Sequence, residues 1–498
     1  MPNKEDKIYC PADAITLTSL EKFLTQNLHL LLSSIAASNM ESEDNVSKAL
    51  DLESPPATES KDGFSKRKKQ VIFALENNQE FPCVSEAEQK DEYSTSSQCS
   101  EDEASEAKGN DEKGEEPWYM HPLSDDVENI EQYRPGGYHP VRIGDRVGGQ
   151  YEIIHKLGHG GFGTVWLARD TVEEVYVAIK IVMSKHSQHT VEHDLKIFKR
   201  LREHIDRSGG NFVDVPIENF WISGPNGHHL CIVSEVGGPS ISQLTRKNTK
   251  IEGEDARRMA LQVAQGLGFL HSSRVGVAHG DLTTSNVLLE LNTFNSLPEE
   301  KIYDLLGEPK GERVQPFDGK SLGQSAPYFI YQPADLTKLS QFYSGNIIVI
   351  DFGAAFFLDN VPESVGTPAQ FCAPELLVRN LCGKPTDVWA LACTIFEMRS
   401  GNVLFEELMG SDEDVLMQML GALGPFPKSL TERKGFEWLE DTGESGTELE
   451  DLVFNVKGIS DDEAYALYDL LKMALRYDIE DRLTVDEVLR HPWFSYKV

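Results

Sequence analysis

Hydrophobic and polar positions change rhythm several times along the chain. Residues 15–37 place Leu20, Phe23, Leu24, Leu28, Leu31 and Leu32 near helical spacing, which predicts a lone amphipathic helix. From about 40 to 130, large apolar residues thin out among Ser, Glu, Asp and Lys, as in "EDEASEAKGNDEKGEE". Such a stretch cannot bury enough surface to offset its ordering entropy, so residues 1–130 are expected to be mostly disordered apart from that helix. An ordered lead-in follows at 131–150. Short β-rich runs are then predicted over 151–182, a helix over 190–203 and two strands between about 212 and 235. From Ser240 onward helical spacing dominates, as in "EDARRMALQVAQGLGFLHSS" and "PTDVWALACTIFEMRSG". The pattern predicts an α+β, bilobal architecture: a small β-rich lobe at about 151–236 and a larger helical lobe at about 237–494.

Composition narrows the function classes. The 498 residues carry a formal charge of −34, about two fifths of it in the first quarter of the chain. This argues against nucleic acid as a direct ligand and for a basic protein partner. Seven cysteines with no CxxC pair argue against a disulfide framework and a zinc site, and so for a reducing compartment. No apolar run has the length of a membrane span, and Lys4, Glu5, Asp6 and Lys7 do not form a signal peptide. The expectation is an intracellular monomer in the cytoplasm, with "KRKK" at 66–69 as a candidate for nuclear import.

The candidate chemistry lies in five ordered pieces. "LGHGGFGTV" (Leu157, Gly158, His159, Gly160, Gly161, Phe162, Gly163, Thr164, Val165) fits a glycine-rich hairpin whose backbone N–H groups can approach phosphates. "VYVAIK" ends in Lys180, placed to reach the α- and β-phosphates, while Ala178 leaves an apolar roof for an adenine. In "TVEHDLKIFKR" the acidic partner for that lysine is expected at Asp194, with Glu192 as a competing assignment. "CIVSEVGG" links the lobes: Ser234 would guard the back of the pocket, with the Glu235 carbonyl and Gly237 amide available to an adenine edge. "HGDLTTSNVLL" spaces Asp281 and Asn286 as a proton-accepting carboxylate and a magnesium ligand, and "NIIVIDFGAA" supplies Asp351 as the principal magnesium ligand. His279 is expected to pack against Phe352. ATP and Mg²⁺ are the expected cofactors.

These pieces resemble the eukaryotic protein kinase family across about 151–494. "APE" (Ala373, Pro374, Glu375), "DVWALA" with Asp387 and "DRLTVDEVLRHPWF" with Arg482 follow in the order which that family implies. The resemblance implies a buried Glu375–Arg482 ion pair and an Asp387 that steadies the catalytic loop. The flanks, including "YRPGGYHPVRIGDRVGGQYEIIHKLGHGGFGTVWLARD", "FWISGPNGHHLCIVSE" and an insert between Leu291 and Asn346, are similar to the SR-protein kinases, which implies an arginine/serine-rich protein substrate. Three departures stand out: Thr283 where a lysine is usual, Asp194 where a glutamate is usual, and a regular "APE".

Gly280 occupies the place of the arginine that reads activation-loop phosphorylation, so Ser364 and Thr367 are not expected to control activity. Two other readings stay open. "HGDL" with its asparagine also resembles small-molecule phosphotransferases of the aminoglycoside type, and Asp194 with Thr283 would suit a nucleotide-binding pseudokinase or scaffold. The acidic run "EWLEDTGESGTELEDL" (437–452) could attract Arg-rich partners or serve only as a solvated loop.

Overall fold

Period-two alternation builds the first lobe. Strands β1 (Arg146–Val147), β2 (Tyr151–Gly160), β3 (Gly163–Asp170), β4 (Val175–Val182), β5 (Glu218–Gly224) and β6 (Gly227–Ser234) form one antiparallel sheet in the order β1-β2-β3-β4-β6-β5. On β4, Val177, Ile179 and Ile181 enter a core with Ile153, Trp166, Cys231 and Val233. Ala178 and Lys180 must therefore face the other side. The register sets Lys180 opposite Val165 and Ile232, and Ala178 opposite Ser234. The computed structural model describes residues 118–249, 251–407, 411–432, 435–440 and 447–496, all within the unit Ala74–Val498. The helix expected at 15–37, the "KRKK" cluster and the centre of the acidic run lie outside the described residues.

The single helix expected over 190–203 is instead two. Helix α1 (Ser184–Glu192) and helix α2 (Asp194–His204) are separated at His193, whose φ of −116° and ψ of −74° depart from the values of a regular helix. Aspartate is a poor interior helix residue and a good first-turn one, so the break leaves Asp194 where its charge is best accommodated. Ile197, Phe198 and Leu201 bury the inner face of α2.

Strand β7 (Gly237–Ser240) crosses to the second lobe and ends in a capping box, Ser240 with Gln243, which starts α3 (Ile241–Arg246). Next come α4 (Gly253–His271), β8 (Val277–Ala278) and β9 (Val287–Leu291). The insert holds α5 (Glu299–Leu306), β10 (Gly311–Arg313) and β11 (Phe329–Tyr331). The chain returns through β12 (Tyr343–Val349) and β13 (Phe356–Phe357) to α6 (Pro374–Arg379), α7 (Lys384–Ser400), α8 (Asp412–Leu423), α9 (Lys428–Thr431), α10 (Leu449–Phe454), α11 (Asp461–Ala474) and α12 (Val485–Val488). Helix α7 is buried without interruption from Thr386 to Arg399, as befits the central helix of a helical lobe. The small sheet β12-β9-β7 contributes Gly237, Leu288 and Ile348 to the interlobe cleft, and β13 pairs with β8 in a separate two-stranded sheet.

The insert packs on the first lobe, and one further segment departs from expectation. From the insert, Phe294, Ile302, Leu306, Leu336 and Leu339 pack on Ile154, Leu167 and Tyr176 of the sheet. Residues 118–130, expected to be disordered, belong to the folded body. Tyr119 and Ile130 are buried with Tyr133, Tyr138, Val314 and Ile330, and Tyr119 bridges to Pro316. Their sparse apolar side chains find partners nearly 200 residues away, which a local composition cannot register. Cys231, Cys372, Cys382 and Cys393 are free thiols. No helix among the described residues is long and apolar enough to cross a membrane.

Candidate active site

The glycine hairpin closes at the Gly160–Gly163 pair between β2 and β3. It covers a cleft of about 500 Å³ lined by Leu157, Gly158, His159, Gly160, Gly161, Phe162, Gly163, Val165, Ala178, Lys180, Glu235 and Gly237. Thr164 is the exception among the expected lining residues. Alternation along β3 turns it inward, where its hydroxyl accepts from the Trp166 indole at 2.9 Å. Leu288, Ile348 and Ile350 supply the apolar wall from the second lobe. Ser234 stands at the back, donating to the Asp214 carboxylate at 2.9 Å. Asp214 lines the same cleft and was not legible in the sequence, because nothing in "FVDVP" marks it as more than a loop carboxylate.

Lys180 Nζ lies 3.0 Å from Asp351 Oδ1. Burial opposes the lysine's charge, but Asp351 outweighs it and raises the Lys180 pKa. In return, Lys180 holds the Asp351 carboxyl below its usual range, against the effect of burial. Asp351 adopts φ +61°, a left-handed conformation rare outside glycine that recurs at functional sites. Oδ1 accepts from Lys180 and from the Gly353 N–H at 3.3 Å, so the charge stays fixed at the cleft.

The expected Lys180–Asp194 ion pair is not formed. Asp194 lines the cleft and acts on Lys180 only through its field, while its Oδ1 pairs with His193 Nδ1 at 3.1 Å. Its side chain is a methylene too short for a residue that begins its helix, and burial raises its pKa. The competing assignment, Glu192, is exposed and accepts from Gln188 at 2.7 Å. Neither acid anchors the lysine directly.

Asp281 does not line the first cleft. It lines an adjoining cavity of about 490 Å³ with Thr283, Arg246, Phe371, Glu397 and Glu406, and the two spaces share Ser285 and Asn286. Asn286 Nδ2 donates at 2.9 Å both to the Asp281 carbonyl and to Asp281 Oδ2. That commitment leaves the asparagine's Oδ1 as the end available to a cation. Asp281 Oδ1 is buried with no partner. Burial, assisted by Asp351 and opposed by the Asn286 hydrogen bond, pushes the Asp281 pKa up to about 7. A carboxylate of that pKa with an uncommitted oxygen is suited to accept a proton near neutrality.

The supporting shell is as the sequence implied. Asp387 on α7 accepts from the His279 and Gly280 N–H groups at 2.8 and 2.9 Å and pairs with His271 at 2.8 Å, fixing the catalytic turn. His279 is buried with its ring 5.1 Å from Phe352, and Phe352 meets Phe198 edge-on at 5.9 Å. Burial lowers the His279 pKa, which suits packing better than proton transfer. Glu375 and Arg482 form a buried bidentate pair at 2.6 and 2.9 Å. Gly280 has φ +73°, and a Cβ there would meet the Ala354 carbonyl oxygen at 2.3 Å. The Thr367 hydroxyl donates to the Gly280 carbonyl at 2.5 Å, tying the activation segment to the catalytic turn without an arginine.

Comparison with known proteins agrees with this geometry. The family model "Protein kinase domain" matches residues 151–305 and 338–494. Similar relatives include the serine/threonine-protein kinase SRPK of Physarum polycephalum, 28% identical over 74% of this chain and 91% of the relative. The serine/threonine-protein kinase AFC1 of Arabidopsis thaliana is 26% identical over 72% of this chain and 74% of the relative. The human dual specificity protein kinase CLK4 is 25% identical over 72% of this chain and 69% of the relative. The fold also matches a crystal structure of the PF14_0431 kinase domain, with a TM-score of 0.53 and 21% identity over 72% of this chain and 98% of that one. With its two lobes, its glycine hairpin and the Lys180, Asp281, Asn286 and Asp351 set in one register, the chain belongs to the protein kinase family.

Proposed function

We propose that the protein transfers the γ-phosphoryl group of ATP to serine or threonine hydroxyls of a protein substrate, one rich in arginine and serine. The observation that carries this reading is the Asp281–Asn286 pair: it opens on a substrate-sized cavity on one side and adjoins the Lys180–Asp351 cleft on the other. The donor set fits magnesium. An ionised carboxylate at Asp351 and an amide oxygen at Asn286 are hard ligands, and two such protein oxygens are what a phosphate-bound magnesium takes. Bound there, the ion would neutralise charge on the β- and γ-phosphates.

The chain's own residues then divide the work. The hairpin N–H groups and Lys180 hold the phosphates, and Val165, Ala178 and Leu288 enclose the base. Asp281 accepts the hydroxyl proton through Oδ1, held in place by Asn286. Thr283 supplies no cation to the transferring group, and by analogy with a lost oxyanion donor that omission lowers the rate by about 10² to 10³. Glu406, exposed on the cavity that Asp281 also lines, favours a basic side chain near the acceptor; Glu397 in the same wall is buried and accepts from Thr245 and Thr284. Intracellular location, with nuclear entry through 66–69, and action as a monomer complete the reading from sequence.

A second reading, a nucleotide-binding protein without transfer, is favoured by one observation: Lys180 pairs with Asp351 and not with Asp194. Phosphate transfer from MgATP to an arginine/serine peptide, to a generic basic protein and to kanamycin separates the readings. Transfer to the first that is lost in Asp281→Asn supports the proposal. Nucleotide binding with no transfer overturns it in favour of the second reading, and transfer to kanamycin alone overturns it in favour of a small-molecule phosphotransferase.

A further inference from the structure

The family match leaves out the lead-in before residue 151 and the insert at 306–337. The structure joins these two stretches to each other and to the glycine hairpin. Lys156, immediately before Leu157 on β2, is wholly buried. Its ammonium pairs with Glu128, just ahead of the lead-in, and donates to the Tyr331 carbonyl of the insert at 2.8 Å. Glu128 also accepts from the Tyr133 hydroxyl at 2.5 Å. At the hairpin itself, the Tyr138 hydroxyl donates to the Gly160 carbonyl at 2.9 Å. Tyr138 is buried, its ring 5.5 Å from that of Tyr133, and its own carbonyl accepts from the Asn226 side chain at 2.6 Å. The hydroxyl is thus delivered from a rigid base.

The contact falls where the hairpin most needs it. Gly158, Gly160, Gly161 and Gly163 give this turn wide conformational freedom, which must be lost when backbone donors order around phosphates. The peptide bonds here are trans, so holding the Gly160 carbonyl toward Tyr138 turns the Gly161 N–H to the opposite side. Gly161 lines the cleft and Tyr138 does not. The lead-in also accepts backbone hydrogen bonds from Ser184 and Lys185 at the start of α1, through Gly137 and Gly136, so the same segment braces both hairpin and helix.

We propose that Tyr138, backed by the buried Glu128–Lys156 pair, is a positioning residue for nucleotide binding: the lead-in pre-orders the glycine hairpin through the Gly160 carbonyl. The inference rests on the reading of the cleft as a nucleotide site. Tyr138→Phe removes one hydroxyl and keeps the buried ring. The expected result in the full chain is a rise of about three- to tenfold in the Kd for MgATP, the worth of one hydrogen bond, with kcat at saturating ATP held within about twofold. Hydrogen exchange should quicken at the 158–163 amides only, and the melting temperature should stay within about 2 °C.

Glu128→Leu combined with Lys156→Met replaces the ion pair by apolar groups of similar volume, removes the Tyr133 hydroxyl's acceptor and the Tyr331 carbonyl's donor, and should weaken MgATP binding in the same way. Wild-type affinity and exchange in both variants would overturn the inference alone. So would a weakening accompanied by loss of protection across both lobes, which would mark a general loss of stability. Failure of the wild type itself to bind MgATP would overturn the nucleotide reading, and this inference with it.

Discussion

Replacing Asp281 by asparagine should slow the protein and stabilise it at the same time, and the stabilisation should depend on pH in a defined direction. Burial raises this carboxyl from an ordinary 3.8 to about 7. In the unfolded chain it ionises from about pH 4 upward, whereas the folded protein keeps its proton until about pH 7. Between those limits the native state binds more protons than the unfolded one, so native stability falls as pH rises and levels off above about pH 7. The full gap corresponds to about 4 kcal/mol, and about 2 kcal/mol is a fair expectation for a site that retains some solvent. For a fold of this size that is a gain of about 2 to 4 °C in Tm.

Asparagine carries no charge, so Asp281→Asn should melt like the wild type at pH 4, gain progressively to pH 7 and keep a constant advantage at pH 8. The melts are run with EDTA, since a bound cation would favour the ionised carboxylate. Over the same range the wild-type kcat/KM for peptide should climb with pH and flatten near 7, and the variant should lose about 10² to 10⁴ in kcat. A stability gain of equal size at pH 4 and pH 8, or none at any pH, would refute the claim that burial strains this carboxylate.

Three further outcomes follow from named contacts. Asp194→Glu adds the methylene that Asp194 lacks and should let the helix acid reach Lys180, lowering the Kd for MgATP about two- to fivefold by calorimetry; unchanged affinity would mean that α2 is placed too far away. Thr283→Lys should raise kcat about tenfold or more in a steady-state peptide assay, and no gain would show that some other group already supplies the charge. Glu375→Gln strands a buried guanidinium at Arg482 and should cost about 3 to 5 kcal/mol in urea unfolding; a loss below about 1 kcal/mol would mean that Arg482 finds new partners.

The sequence by itself determined the chemistry of the site and the order of its parts. Glycines at 158, 160 and 163, Lys180 on an alternating strand, Asp281 with Asn286, and Asp351 after Ile347, Ile348, Val349 and Ile350 were legible because each role needs a particular residue type at a short, fixed spacing. The His279–Phe352 contact was expected from the two motifs themselves, whereas the Glu375–Arg482 pair was legible only through the family resemblance, since its partners lie far apart along the chain. What tertiary structure alone decided was pairing and facing. Lys180 meets Asp351 and not Asp194, Thr164 turns away from the cleft, Asp281 sits in a neighbouring cavity, and Asp214 stands behind Ser234. Residues 118–130 likewise gained their order from the insert and from Lys156. Local patterns encode local propensity, but which ion pair forms, and whether a polar segment is held, depends on partners that only folding brings within a few ångströms.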